Sequence, residues 1–318
     1  MAAAFRTGGF ALTLKTAILG GTSHIARAIT PYLLEAGAEL TLFARSPEKL
    51  PSGPWKVKTD FALLSKDSFD LVINCIGAGT PKELASDYNR WFSVLERFDN
   101  LALDYLKNVN PAALYVMFSS GAVYGRQNNA PVKENSFWRF YPNRVSVPDY
   151  YAVSKIYSEA KHRSLPQLKI ADLRIFSFFS HCINLDSGYF MTDLVKALVK
   201  NEIFKTSPAD MLRDYTHPSD LAALILRCAA EKHINTALDV ASREPVSKNI
   251  ILKTFSSKFG LKYGSTDSFS ETSPNGSINI YVPTVDLAEK MLNWKAVYSS
   301  IETLLSETEV ILDNYGKA

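Results

Sequence analysis

Long hydrophobic runs are the first thing this chain of 318 residues lacks. No apolar stretch approaches the roughly eighteen residues that a helix needs to cross a bilayer, so no membrane span is expected. Cysteine is scarce. Cys75, Cys182 and Cys228 are far apart and follow no metal-ligand spacing, so no metal site is expected, and the thiols are expected reduced and mostly buried, as in a cytoplasmic protein. Charge of one sign is nearly balanced, with a net of +3, and Lys and Arg are dispersed rather than gathered into a stripe. Such a surface has no long-range pull on a polyanion, which argues against nucleic acid or an anionic membrane as partner. Internal repeats and low-complexity tracts are absent too.

What is present is enough apolar content, 47%, for a sizeable core and two lobes. Residues 1–14 are Ala- and Gly-rich with one Arg and lack the plan of a secretory signal; they are set aside as a leader or extension. From there short apolar runs at 16–19, 39–43, 69–73, 112–118 and 170–176 alternate with amphipathic helical patterns such as 26–36 and 91–106. Buried parallel strands need such crossovers, so the fold class expected is α/β, a Rossmann-like doubly wound parallel sheet. It would occupy residues 15–179. A smaller C-terminal α/β substrate lobe would occupy 180–318, with helices near 191–200, 219–232 and 248–259 and isolated short strands at 237–240 and 278–282. Segments around 213–240 are expected to return to the first domain, and the Ser-rich stretch 265–277 reads as a loop.

The first strand runs into Gly20, Gly21, Thr22, Ser23, His24, Ile25 and Ala26, where a glycine turn and a helix N-terminus would meet a dinucleotide pyrophosphate. The glycine series is eroded, since Ser23 and Ala26 stand where glycine usually permits close approach, and an ordinary strand-to-helix turn is the competing reading. His24 faces either phosphate or solvent there. At the end of the second strand an acid would hold the adenosine ribose of NAD, and Arg45 stands instead. A guanidinium suits a 2′-phosphate, which favours NADP over NAD; the alternative is an arginine that merely faces water.

Two Tyr-x-x-x-Lys spacings occur, Tyr151/Lys155 and Tyr157/Lys161. Positions four apart share a helix face, so an ammonium can lie beside a phenol and stabilise its anion, which a free phenol with a pKa of about 10 needs at neutral pH. The second pair starts six residues on, about two-thirds of a turn around, so both cannot face one cleft. The first pair follows Pro148 and Asp149, a plausible helix entry, and lies after Ser120 in the segment 118–125 (Phe-Ser-Ser-Gly-Ala-Val-Tyr-Gly).

At this point the chain resembles the extended short-chain dehydrogenase/reductase family, in its branch of nucleotide-sugar epimerases, dehydratases and reductases. The residues that carry the likeness are 17–22 (Ala-Ile-Leu-Gly-Gly-Thr), 118–125, 151–155 (Tyr-Ala-Val-Ser-Lys), 173–176 (Leu-Arg-Ile-Phe), 213–220 (Arg-Asp-Tyr-Thr-His-Pro-Ser-Asp) and 287–295 (Leu-Ala-Glu-Lys-Met-Leu-Asn-Trp-Lys). The resemblance implies that Ser120 hydrogen-bonds the reacting oxygen and that Tyr151 donates or accepts the proton. Lys155 would hold the nicotinamide ribose and keep the tyrosine acidic while hydride moves between cofactor and sugar carbon. It further implies that Arg213 meets the nucleotide diphosphate, that Asp60 and Phe61 meet adenine after the third strand, and that Cys75, Ile76 and Gly77 run along the cofactor after the fourth. A surface ion pair of Arg213 with Asp214 or another acid is the plain alternative, as is strand-end packing for the other two groups.

The departures are informative. Gly121 and Ala122 stand where family dehydratases carry an Asp-Glu pair, which argues against dehydration, and no cysteine of the fucose-nucleotide type lies near Ser120. Ser177 replaces an asparagine in the substrate-facing loop; Phe179 and Ser180 replace a Tyr-Gly pair. His181 and His217 read as structural rather than catalytic or metal-binding. The expected function is an NADP-dependent ketoreductase of a nucleotide-linked keto-deoxy sugar, with a nucleotide-sugar epimerase and a non-catalytic dinucleotide sensor as alternatives. The resemblance also implies a homodimer through the helices around 91–107 and 151–163.

Overall fold

The structure is a computed structural model that describes residues 13–77, 87–125, 130–133, 136, 138, 140–266, 279–284 and 287–316, with the backbone alone for Val147 and Pro148. The expected leader, 1–14, lies almost wholly outside the described residues, as does most of the Ser-rich stretch 265–277.

In chain order the first half comprises β1 (Lys15–Leu19), α1 (His24–Glu35), β2 (Glu39–Phe43), β3 (Lys56–Lys58), β4 (Leu71–Asn74), α2 (Asn89–Asn108), β5 (Leu114–Ser120), α3 (Val147–Arg163) and β6 (Lys169–Ile175). There follow β7 (Ser177–Phe178), α4 (Phe190–Lys200), β8 (Phe204–Thr206), β9 (Leu212–Arg213), β10 (Tyr215–Thr216), α5 (Pro218–Ala230) and β11 (Asn235–Val240). The chain ends with β12 (Val246–Ser247), α6 (Lys248–Phe259), β13 (Tyr263–Ser265), β14 (Ile280–Tyr281), α7 (Leu287–Leu292) and α8 (Ser300–Gly316).

Seven parallel strands form the main sheet in the order β11-β6-β5-β4-β1-β2-β3. Period-two alternation divides each strand between two cores. Ile18, Ile73, Val116 and Leu173 face one way, onto α1, α5 and α7, whereas Ala17, Leu19, Val72, Tyr115 and Met117 face α2. Both faces are covered, which is why these strands are continuous apolar runs. The order reverses between β1 and β4, and a doubly wound sheet binds its ligand in the crevice at the carboxyl ends of the strands at such a switch point.

The segment 237–240 is a correction: it is not an isolated strand but part of β11, which pairs with β6 from Asn235↔Ile170 to Val240↔Ile175. Its partner strand is distant in sequence, so local periodicity carried no sign of the pairing. A third core gathers Phe179, Leu194, Val195, Phe204, Val246, Ile251, Phe255, Leu304 and Ile311 from the second half. Above it β9 pairs with β12 and β14, setting Arg213 opposite Val246 and Tyr281.

Candidate active site

The turn after β1 is shaped by two glycines with separate duties. Gly20 has φ +81, and a Cβ there would lie 2.8 Å from Ile76 Cγ1 and 3.2 Å from the Cys75 carbonyl carbon. On Gly21 a Cβ would lie 2.9 Å from Leu42 Cβ. Both backbone N–H groups donate to the Phe43 carbonyl, at 2.9 and 3.0 Å, tying the turn to the end of β2. Ser23 then caps α1, its hydroxyl accepting from Ala26 N at 3.3 Å. Thus the serine in the place of a glycine earns its position as a cap. The N–H groups of Thr22, His24 and Ile25 have no acceptor among the described residues. Three free donors at a helix N-terminus, beside the Cys75–Gly77 loop, fit a pyrophosphate. Gly77 is exposed, with open space where a Cβ would stand. Burial pushes the Cys75 thiol up, far from a reactive thiolate.

At the adenine end Arg45 is exposed just past β2 and pairs with no other described residue. Asp60 caps a short 3₁₀ turn, accepting from Ala62 N at 2.9 Å, and Phe61 packs on Phe43 and Phe98 at ring-centroid distances of 5.9 and 5.0 Å. Their side chains are therefore engaged in the fold at the mouth of β3.

Ser120, Tyr151 and Lys155 come together at the carboxyl end of β5. Ser120 is the last residue of that strand; its hydroxyl accepts from Ala122 N at 3.2 Å and lies near enough to the Tyr151 phenol to favour the anion. α3 starts with Ser146 donating to the Asp149 carboxylate, from its N–H at 3.1 Å and from its hydroxyl. One turn separates Tyr151 from Lys155, whose Nζ lies 5.7 Å from the tyrosine ring centroid and donates to the Phe118 carbonyl at 2.7 Å. Burial brings the Lys155 ammonium down to about 8 against the pull of Asp172, Asp99 and Glu159. Burial also pushes the Tyr151 phenol up, and the nearby Ser120 hydroxyl offsets only part of this. Tyr157 and Lys161 point elsewhere. Tyr157 reaches Glu96 at 3.4 Å and Lys161 bonds Asp99 at 2.7 Å, both on α2.

On the substrate side Arg213 is buried at the end of β9, with Nη1 donating to the carbonyls of Leu212 at 3.0 Å and Asn279 at 3.3 Å. The Asp214 carboxylate is engaged elsewhere, held by Ser242 through N–H and hydroxyl at 2.8 and 3.1 Å. Gly121 is roofed by Phe176: a Cβ would lie 2.5 Å from the ring. Ser177 sits half-buried in β7, opposite Tyr215. Sequence reasoning missed Tyr281. It is 3% exposed, its hydroxyl is 3.2 Å from Ser120 Oγ and its ring is 5.0 Å from Phe176. Burial pushes its phenol up as well. Its arrival depends on a strand 161 residues away from Ser120, for which no local signal exists.

The histidines are absorbed by packing. His24 Nε2 lies 2.7 Å from Ser180 Oγ, and burial lowers it to about 4. His181 Nδ1 is 2.7 Å from Glu307 Oε2; hydrogen bonds to Cys182 and Glu307 raise it to about 10. His217 caps α5 through Ser219 and stacks on Tyr298 at 3.8 Å.

No curated protein matches the chain. Among solved structures it is similar to UDP-glucose-4-epimerase from Stenotrophomonas maltophila with bound NAD and formylated UDP-arabinopyranose, at 17% identity and TM-score 0.78 over 96% of this chain and 99% of that one. UDP-N-acetylglucosamine 4-epimerase from Methanobrevibacter ruminantium M1, in complex with UDP-N-acetylmuramic acid, is 18% identical with TM-score 0.76 over 95% and 99%. UDP-glucuronic acid 4-epimerase from Bacillus cereus, in complex with UDP-glucuronic acid and NAD, is 15% identical with TM-score 0.75 over 95% and 100%. At such identities the likeness is one of fold. Residues 16–241 match the model of the NAD dependent epimerase/dehydratase family, and the chain, as its motifs led one to expect, belongs to that family of enzymes.

Proposed function

We propose that the protein is an NADP-dependent oxidoreductase that reduces a keto carbon on a nucleotide-linked sugar. The observation that carries this reading is the placement of the Ser120 hydroxyl and the Tyr151 phenol beside each other at the carboxyl edge of β5, with Lys155 one helical turn behind. A nicotinamide dinucleotide, when bound, supplies the hydride. Ser120 and Tyr151 donate to the carbonyl oxygen as negative charge develops on it, and Tyr151 gives up its proton. Lys155, steadied by the Phe118 carbonyl, stabilises the resulting phenolate and meets the ribose hydroxyls. Burial keeps the phenol protonated before reaction, and the Lys155 ammonium is the group that would favour release of its proton. Arg213 receives the substrate diphosphate.

Residues 15–179 together with β11 hold the dinucleotide in this reading, and 180–318 hold the sugar nucleotide. Free Arg45 supports NADP over the NAD bound by the structural relatives. The Phe176 ring over Gly121 leaves no room for an acidic side chain at that position, which speaks against water elimination. Three free cysteines suit a reducing compartment such as the cytoplasm. α2 and α3, side by side with Phe92 and Tyr157 on their outer surface, would form the homodimer contact.

Epimerisation is the second reading, favoured by the UDP-sugar epimerases among the structural relatives. A reductase consumes NADPH stoichiometrically, an epimerase none, so absorbance of reduced nicotinamide separates the two. The test is a panel of nucleotide sugars screened by thermal shift with NADP, followed by turnover. Tyr151→Phe should cut turnover by at least about 100-fold while leaving dinucleotide affinity unchanged. Undiminished turnover sinks the site assignment, and a wild type that binds dinucleotide but turns over no sugar leaves the sensor reading standing.

A further inference from the structure

α3 is attached to the sheet by polar groups at three successive turns rather than by an apolar stripe. Lys155 donates to the Phe118 carbonyl, Glu159 accepts from Ser119 at 2.6 Å and bonds Arg174 at 2.9 and 2.6 Å, and His162 closes the row. His162 is fully buried. Its Nδ1 is 2.7 Å from Asp172 Oδ1 on β6 and its Nε2 is 2.7 Å from Asp99 Oδ1 on α2. The second oxygens of these carboxylates are held by Arg163 at 2.8 Å and Lys161 at 2.7 Å.

The chain of bonds continues to the cofactor crevice. The Tyr115 hydroxyl donates to Asp99 Oδ1 at 2.9 Å, Asn74 Nδ2 donates to the Tyr115 hydroxyl at 3.1 Å, and Ile76 N–H donates to Asn74 Oδ1 at 3.1 Å. Ile76 belongs to the loop that packs on Gly20. One uninterrupted set of hydrogen bonds therefore joins the helix bearing Tyr151 and Lys155, through α2, β5 and β4, to the loop beside the dinucleotide turn, with Asp172 of β6 as a side arm. His162 lies seven residues beyond Lys155, two turns along the same face.

We propose that His162 is a positioning residue for the nicotinamide end of the site: by bridging Asp99 and Asp172 it fixes the rotation of α3, and with it the Tyr151–Lys155 pair, relative to the Cys75–Gly77 loop. This rests on the dinucleotide reading above. A bidentate imidazole between two carboxylates admits one ring plane, so the helix has one rotational setting. Directional polar anchors achieve what an apolar stripe would leave free to slide.

The experiment compares ligands that do and do not reach α3. NADPH and NADH are titrated against wild type, His162→Gln and Tyr115→Phe, each beside a fragment that ends at the phosphates, adenosine 2′,5′-bisphosphate for NADPH and ADP for NADH. His162→Gln should raise the Kd of the preferred dinucleotide about tenfold, and Tyr115→Phe about threefold, while the matching fragment stays within about twofold of wild type. A merely structural role would weaken dinucleotide and fragment together, and that outcome, or no weakening of either, overturns the proposal. If His162→Gln does not fold, Tyr115→Phe, which keeps both carboxylate contacts of His162, decides alone. Wild type that binds neither dinucleotide rejects the underlying reading and this inference with it; wild type that binds while both variants match it rejects only the inference.

Discussion

Raising the pH should remove a measurable part of the stability of this fold through one side chain. Burial opposes a charge on His162, but its hydrogen bonds to Asp172 and Asp99 prevail and raise it from 6.5 to about 9. A folded value above the unfolded one means the protonated form is favoured by folding. Its contribution is complete below about pH 6.5 and is lost as pH rises through about 9. At about 1.4 kcal/mol per pH unit the interval is worth about 3 kcal/mol. Lys155 runs the other way in the same window, since burial lowers it to about 8, so the wild-type curve alone is a sum. The difference between wild type and His162→Gln reports the histidine together with its coupling to Asp99 and Asp172, because the raised His181 is common to both. Urea unfolding at about pH 6 and about pH 9.5 should show that difference shrinking by about 3 kcal/mol. A difference independent of pH, or an imidazole titrating near its ordinary value by NMR, would refute the reasoning.

Three further outcomes are expected. Arg45→Ala should weaken NADP binding at least about tenfold and leave NAD nearly unchanged, read by titration; equal loss for both would mean that the guanidinium meets no 2′-phosphate. Gly20→Ala should destabilise by about 1–3 kcal/mol in thermal unfolding, because φ +81 and the Ile76 side chain both oppose a methyl group, and an unchanged Tm would contradict that packing. Tyr281→Phe removes the bond that occupies Ser120, worth about 1 kcal/mol, so KM for the sugar substrate should fall a few-fold; a rise would assign the hydroxyl to substrate binding instead.

Much of the sheet was legible because its strands are buried on both faces and read as mostly apolar runs, from Thr16 to Leu19 through Ile170 to Ile175, where Asp172 and Arg174 interrupt the last. β3 was placed only by the resemblance, as the strand before Asp60. Its three residues, Lys56, Val57 and Lys58, are largely exposed on an edge and carry no apolar run. α8 was missed, although Leu304 and Ile311 bury into the third core, because its inward face also uses Ser300, Thr303, Glu307 and Thr308. The polar inner face of α3 hid in the same way, and with it the His162 bridge.

Local chemistry alone determined the alternating α/β plan, the Gly20–Gly21 turn and the Tyr151–Lys155 spacing, since each depends on neighbours within a few residues. Tertiary structure alone decided that Tyr281 meets Ser120, that Phe176 covers Gly121, that His162 joins Asp99 to Asp172 and that the Tyr151 phenol is pushed up. Those outcomes arise from desolvation and from contacts across the sheet between segments far apart in the chain, quantities that exist only once the chain has closed on itself.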